Sequence, residues 1–518
     1  MNNVATDGSQ IAELRSAVTG YRNPVLPGFY PDPSVCRVGD EYFLVTSSFT
    51  YFPGVPIFRS TNLVNWTQIG NVLDRQSQLD LRRTEGGTSL GVYAPTLRSH
   101  DGRFWMITTS LTSDGLRNFF VTTEDPAGPW SEPTVVNIVG IDPDIAWDAD
   151  GTCWVHCAMG QILRHRIDDA TGAVLSGPEP TWSGTGMQYP EAPHLFEREG
   201  VWYLLIAEGG TERGHAVSIA RGPSPIGPWD PCPHNPIISH RSTDKPIQNT
   251  GHADLVEAPD GSWWMLLLGT RPRGMTPRFY VLGRETFLAP VEWVDGWPVV
   301  GDLALEMEHE PPGVALSAVD PTRDDFDAAS LHPRWLSIRV PLEDKATLRD
   351  RPGWLTLHSG PPLEDTEPVF VGRRQQHLRC RVRTCVAAGD ATEAGLTVWM
   401  DDRLHYDVAI AEGRVTVRAR IGPLVQEVAT TEAPRGEAVV LAIHIDDDET
   451  GQDPDILTLG FDDERGTFTA LASLPGRYLS TEVAAGFTGR VIGMFAVGGT
   501  AAFDWFDYEP LPVTTVVG

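Results

Sequence analysis

One pattern recurs five times in this chain. The stretch DPSVCRVGDEYFLVTSSF, beginning at Asp32, is echoed by APTLRSHDGRFWMITTSL from Ala94 and DPDIAWDADGTCWVHCAMG from Asp142. It returns as APHLFEREGVWYLLIAEGG from Ala192 and HADLVEAPDGSWWMLLLGT from His252. Each copy reads as an apolar strand, a turn dipeptide and an aromatic-rich strand. The turns are Gly39-Asp40, Asp101-Gly102, Asp150-Gly151, Glu199-Gly200 and Asp260-Gly261, which mark antiparallel hairpins. A later segment closing on tryptophan, as in IFRSTNLVNW, FFVTTEDPAGPW and VSIARGPSPIGPW, adds a third strand. Repeats spaced by roughly 50 to 60 residues predict a five-bladed β-propeller.

In a propeller the innermost strands all start at one end of the central channel, so equivalent repeat positions converge there. Those positions are Asp32, Ala94, Asp142, Ala192 and His252, with Glu191 immediately before the fourth. An aspartate before proline commonly does no more than cap a turn. Three acids and a histidine at one register imply a site.

Two carboxyls across a pocket are the minimum for glycoside hydrolysis, one protonating the leaving oxygen and the other acting on water or on the anomeric carbon. A third carboxylate beside the acid raises its proton affinity. Phe29, Tyr30, Phe49, Tyr51, Phe52 and Tyr93 lie near the repeat starts and could stack on sugar rings, and Arg284 could read hydroxyls.

The stretches NPVLPGFYPDPSVCRVGDEYFLVTSSFTYFPGVPIFRSTNLVNW, GVYAP, GIDPD, PEAPHLF with AEGG, TGHADLVE and LGRETFLAPVEWVDGWPVV resemble glycoside hydrolase family 43, in its β-xylosidase and α-L-arabinofuranosidase branch. The resemblance implies an inverting mechanism with Asp32 as general base, Glu191 as general acid and Asp142 orienting the acid. It places Arg284 against the sugar and His252 on the channel axis near calcium or water. No cofactor is required on this view; the expected calcium is structural. Two positions depart from the family pattern: the common Thr-Glu-Gly-Pro-His is here Pro190-Glu191-Ala192-Pro193-His194, and a frequent Trp is Tyr93.

The repeat stops near residue 310. Residues 1–20 are expected to form a tail, 21–310 the propeller, 311–325 a linker and 326–518 a second all-β domain. Alternating segments such as LRCRVRTCV and YDVAIAEGRVTVRAR predict a β-sandwich, jelly-roll-like. The resemblance makes it a partner packed on the propeller, with the loop Gly486-Phe487-Thr488-Gly489 closing one side of the site.

Composition excludes some partners. Sixty-nine acidic against 40 basic residues give a net charge of −29, which disfavours nucleic acid and anionic membrane surfaces. The first twenty residues carry no signal-peptide pattern, so a cytoplasmic enzyme acting on short oligosaccharides is expected, with self-association left open. The six cysteines lack paired zinc spacing and read as reduced. Cys153 and Cys157, flanking His156, read as packing residues rather than metal ligands. Gly87-Thr88-Ser89-Leu90-Gly91 fits G-x-S-x-G but lacks the α/β elbow that motif requires. The competing reading is a non-catalytic carbohydrate-binding propeller or scaffold.

Overall fold

The computed structural model describes residues 20–82, 84, 89–315, 321–463 and 465–512. The expected tail, apart from residue 20, lies outside them, as do Gly87 and Thr88. Five antiparallel sheets follow one another along the chain, each with four strands in sequence order running outward from the axis, and the second sheet gains a fifth, short strand at Gly91–Val92. Blade I is built from Ser34–Val38, Glu41–Val45, Gly54–Ser60 and Thr67–Leu73. Blade II has Thr96–His100 innermost, blade III Ile141–Trp147, blade IV Glu191–Arg198 and blade V Gln248–Glu257.

The second strand of each blade must be apolar on both faces, because alternate side chains enter different neighbours. In EYFLV, Phe43 and Val45 pack toward blade II while Tyr42 and Leu44 pack toward blade V. In WWMLLLGT, Met265 and Leu267 face blade IV while Trp264 and Leu266 face blade I. Two further clusters fill the II–III and III–IV seams, so an apolar core lies between every adjacent pair of blades. Truncating one of these leucines to alanine would cost about 2–5 kcal/mol.

A fourth strand completes each blade beyond the three read from the sequence. The tryptophans of the repeat mark the turn into it: Trp66 precedes Thr67–Leu73, and Trp229 precedes Asp230–Pro231. The ring closes where the chain enters it. Tyr21–Arg22 pairs with Glu306–Met307, and the Asn23 amide donates to the carbonyls of Leu288 and Ala304 while its oxygen accepts from Leu288 N.

The second domain is a sandwich. One sheet orders Ala346–Thr347, Leu355–Leu357, Ala501–Pro510, Cys380–Ala387, Val439–Asp446, Ile456–Asp462 and Phe468–Pro475. The other orders Phe370–Arg374, Val491–Val497, Glu393–Asp401, Leu404–Ala411, Arg414–Ile421 and Leu424–Glu432. Within the expected linker, Arg323–Asp324 already adds a strand by pairing with Asp507 and Phe506. The six cysteines are unpaired, and Cys153 and Cys157 pack in the II–III core.

The two domains share one apolar interface. Phe29, Phe49 and Tyr51 of the propeller pack with Ile338, Phe370, Trp399 and Phe495, and Ser337–Ile338 pairs with Tyr51–Phe52. Arg374 lies over the rings of Phe29 and Tyr30, 4.5 and 4.6 Å from their centroids. The sandwich is therefore fixed against the segment that carries Asp32.

Candidate active site

Asp32, Asp142, Ala192 and His252 all adopt the left-handed backbone, with φ between 44° and 58°. Conformations of this kind cost about 1–3 kcal/mol each and persist where the surrounding structure holds them. The pairing register also slips at the last three, between Ile141 and Asp144, between Glu191 and His194 and between Gly251 and Ala253. Bulges re-aim side chains. Here they turn the repeat starts into a pocket of about 70 Å³ lined by Asp32, Phe49, Tyr93, Asp142, Glu191, Thr211, His252, Arg284 and Phe487.

Asp32, Asp142, Glu191, Arg284, His252 and Phe487, all named from the sequence, line that pocket. Of the six aromatics, only Phe49 and Tyr93 line it. Phe29 and Tyr51 are buried against the sandwich, Tyr30 in the V–I core and Phe52 in the I–II core. The Phe487 ring lies 5.7 Å from Phe49 and 6.1 Å from Tyr93. Its loop is anchored by fully buried Arg490, which pairs through two nitrogens with Asp455 at 2.6 and 2.9 Å. Gly489 permits the approach, since a Cβ there would sit 2.3 Å from Leu282 O.

The three acids differ in environment. Arg284 donates to both Asp32 oxygens, at 3.0 and 3.3 Å, Ser47 donates at 2.5 Å, and His252 Nδ1 lies 3.4 Å away. Burial alone would push the Asp32 carboxyl up, but Arg284, His252 and the Ser47 bond outweigh it and hold it below its ordinary value. Asp142 is pushed well up by burial and by Glu191, although its Oδ2 accepts the Ala192 N–H at 3.2 Å. Glu191 is pushed up to about 7, by burial first and then by the Asp32 charge. One carboxylate is thus kept ionised while two adjacent carboxyls compete for a proton.

A polar layer that the sequence reading missed lies beneath them. Two residues past the repeat starts stand Ser34, Asp144, His194 and Asp254, on blades I, III, IV and V. Arg98 of blade II reaches them all: Asp144 and Asp254 at 3.0 Å each, His194 Nδ1 at 3.1 Å and Ser34 Oγ at 3.4 Å. A guanidinium therefore occupies the axis. Among the described residues no three His, Cys, Asp or Glu side chains are arranged to hold a metal ion. Beside His252 stand Asp32, 3.4 Å from its Nδ1, and the His194 ring, 5.9 Å between centroids. The signal was available, since the +2 register repeats the convergence of the first.

Ser89 of the G-x-S-x-G match donates to Ala485 O at 3.1 Å.

Residues 21–298 match the family model described as glycosyl hydrolases family 43, and residues 323–509 match that of the β-xylosidase C-terminal concanavalin A-like domain. The chain belongs to glycoside hydrolase family 43. It is therefore a glycosidase with a five-bladed propeller and a concanavalin-like sandwich. A non-reducing end α-L-arabinofuranosidase of Bacteroides ovatus, BoGH43B, is 38% identical, with 97% of each chain covered. A xylosidase/arabinosidase of Butyrivibrio fibrisolvens is 37% identical over 95% of this chain and 99% of that one. Among solved structures, a xylan β-1,4-xylosidase from Bacillus halodurans superposes with a TM-score of 0.85 at 31% identity, covering 94% of this chain and all of the other.

Proposed function

We propose that this glycosidase removes single xylose or arabinofuranose units from the non-reducing ends of short oligosaccharides by an inverting displacement. The observation that carries the mechanism is two carboxyls in one pocket with different partners: Arg284 and Ser47 donate to Asp32, which favours its ionised form, while burial and the Asp32 charge push Glu191 up to about 7. Asp32 takes a proton from water as the water oxygen bonds to the anomeric carbon. The glycosidic C–O bond breaks, and the Glu191 proton passes to the leaving oxygen. Asp142 accepts the N–H of Ala192, fixing the backbone next to Glu191. Arg284 donates to Asp32 and His252 stands 3.4 Å from it, and both line the pocket, where they offer donors to sugar hydroxyls.

The small pocket, walled on one side by Phe487 of the sandwich, supports an exo mode, because it suits one terminal sugar better than the middle of a chain. The choice of sugar rests on the relatives, whose names include both xylosidase and arabinofuranosidase. Release rates on paired aryl β-xyloside and aryl α-L-arabinofuranoside test the sugar. NMR of the first-formed anomer tests the mechanism, and a retained configuration would refute inversion. The scaffold reading predicts no release from either substrate.

A further inference from the structure

His215 has no part in the mechanism so far, yet it stands at the head of the third strand of blade IV, beside the pocket. Its side chain is 1% exposed. Nδ1 lies 3.1 Å from Asn249 O, and a carbonyl can only accept, so Nδ1 carries the ring hydrogen. That leaves Nε2 with a lone pair. Nε2 is buried without a hydrogen-bond partner, and the atom facing it is Glu191 Oε1, 3.8 Å away. An orphaned buried nitrogen aimed at a reacting carboxyl requires an explanation.

A neutral acceptor offers nothing to a carboxylate and a hydrogen bond to a carboxylic acid. Asp142 has the opposite surroundings, since the N–H it accepts from Ala192 favours its ionised form. We propose that His215 is a positioning residue that places the proton shared by Glu191 and Asp142 on Glu191, by accepting the Glu191 O–H at Nε2. At 3.8 Å the pair is longer than a hydrogen bond, as catalytic pairs often are before substrate binds, and the O–H turns from Nε2 to the leaving oxygen when the glycosidic bond breaks. Burial pulls the imidazole down to about 3, so the ring remains a neutral acceptor throughout the working range. The other groups facing Glu191 are Asp32, Arg284 and Glu212, and those facing His215 are His252, Arg284 and Asp32.

Gly251 fits the same assignment. A Cβ at Gly251 would lie 2.2 Å from His215 Nδ1 and 2.3 Å from Cε1, so the ring rests directly on the glycine. The sequence places Gly-His-Ala twice, at 214–216 and 251–253. The second copy brings His252 to Asp32 and supplies the glycine that seats His215 beside Glu191.

This inference rests on Glu191 being the acid, and the test separates the two. His215→Asn keeps a donor for the Asn249 carbonyl and removes the atom facing Glu191. Losing the acceptor destabilises protonated Glu191, so its pKa falls and the basic limb of kcat/KM moves down by about one unit, the size of one hydrogen bond. On an oligosaccharide the rate near neutral pH falls about tenfold; on an activated aryl glycoside it falls much less. Gly251→Ala, which pushes the ring aside, moves the limb the same way and serves if the first variant does not fold. A limb unmoved in a folded variant, or equal losses on both substrates, overturns the proposal. Glu191→Ala run in parallel identifies the acid: if its loss is also independent of the leaving group, the acid assignment itself has failed.

Discussion

Replacing Glu191 by alanine removes the proton donor while leaving the Asp32–Arg284 pair in place. General acids contribute about 10²–10⁴-fold, or roughly 3–5 kcal/mol of barrier. An alkoxide leaving group needs all of that help, whereas an activated phenolate departs with little. The ratio of oligosaccharide to aryl-glycoside turnover should therefore fall at least about a hundredfold in Glu191→Ala. The pH dependence supplies a second, independent reading. The wild-type acid is protonated below about 7, so kcat/KM on oligosaccharide should hold to that pH and then fall tenfold per unit as the proton is lost. That limb should vanish in the variant assayed on the aryl substrate. Steady-state kinetics on both substrates from acid to alkaline pH make the measurement. Equal losses on both, or a limb that persists in the variant, would show that another group carries the proton.

Arg98→Met leaves Asp144 and Asp254 buried without their cation and should cost about 3–5 kcal/mol, read as a lowered denaturation midpoint. Because that guanidinium fills the axis, EDTA should leave at least part of the activity and added calcium should not raise it; complete, reversible loss on chelation would contradict this. Ala192→Gly should stabilise the protein by about 1 kcal/mol, since alanine there is held at φ 54°, a conformation glycine adopts freely; a lower Tm would refute the strain argument. Phe487→Ala should raise KM severalfold with little effect on melting, as its half-buried ring walls the pocket rather than filling the sandwich core.

The parts legible in the sequence were those written in a repeated register. Asp32, Asp142, Glu191 and His252 announced themselves because five copies align, and convergence at one end of a propeller follows from that alignment. The fourth strands did not, because they lie at the solvent rim, where apolar alternation is not required: Val174–Trp182 is exposed along most of its length, and Asp230–Pro231 is only two residues long. The aromatics misled because stacking on sugar and stacking on a neighbouring domain use the same side chains. Phe29 and Tyr51 face the sandwich, and nothing local to GFYPDPS or TYF says so. His215 escaped because it lies outside the repeat start, on a third strand, and its meaning depends on a carbonyl 34 residues away.

The strained backbone at the repeat starts and the acids placed on them have one physical origin. A strand that simply continued its pleat would alternate side chains between the two neighbouring blades, and every one of them would be claimed by an interblade core. A left-handed residue with a slipped register breaks that alternation and releases one side chain toward the axis. The left-handed residue stands at Asp32, Asp142, Ala192 and His252, the register slips at the last three, and in blade IV the freed position is Glu191, one residue earlier. Blade II, whose start is Ala94, has no left-handed residue there and contributes no acid. It instead sends Arg98 into the layer below, where the cation ties together the other four blades. The ring thus balances its charge in two layers, with Arg284 above holding Asp32 ionised and Arg98 below holding Asp254. The two carboxyls without an arginine, Asp142 and Glu191, are left to compete for the proton that the reaction uses.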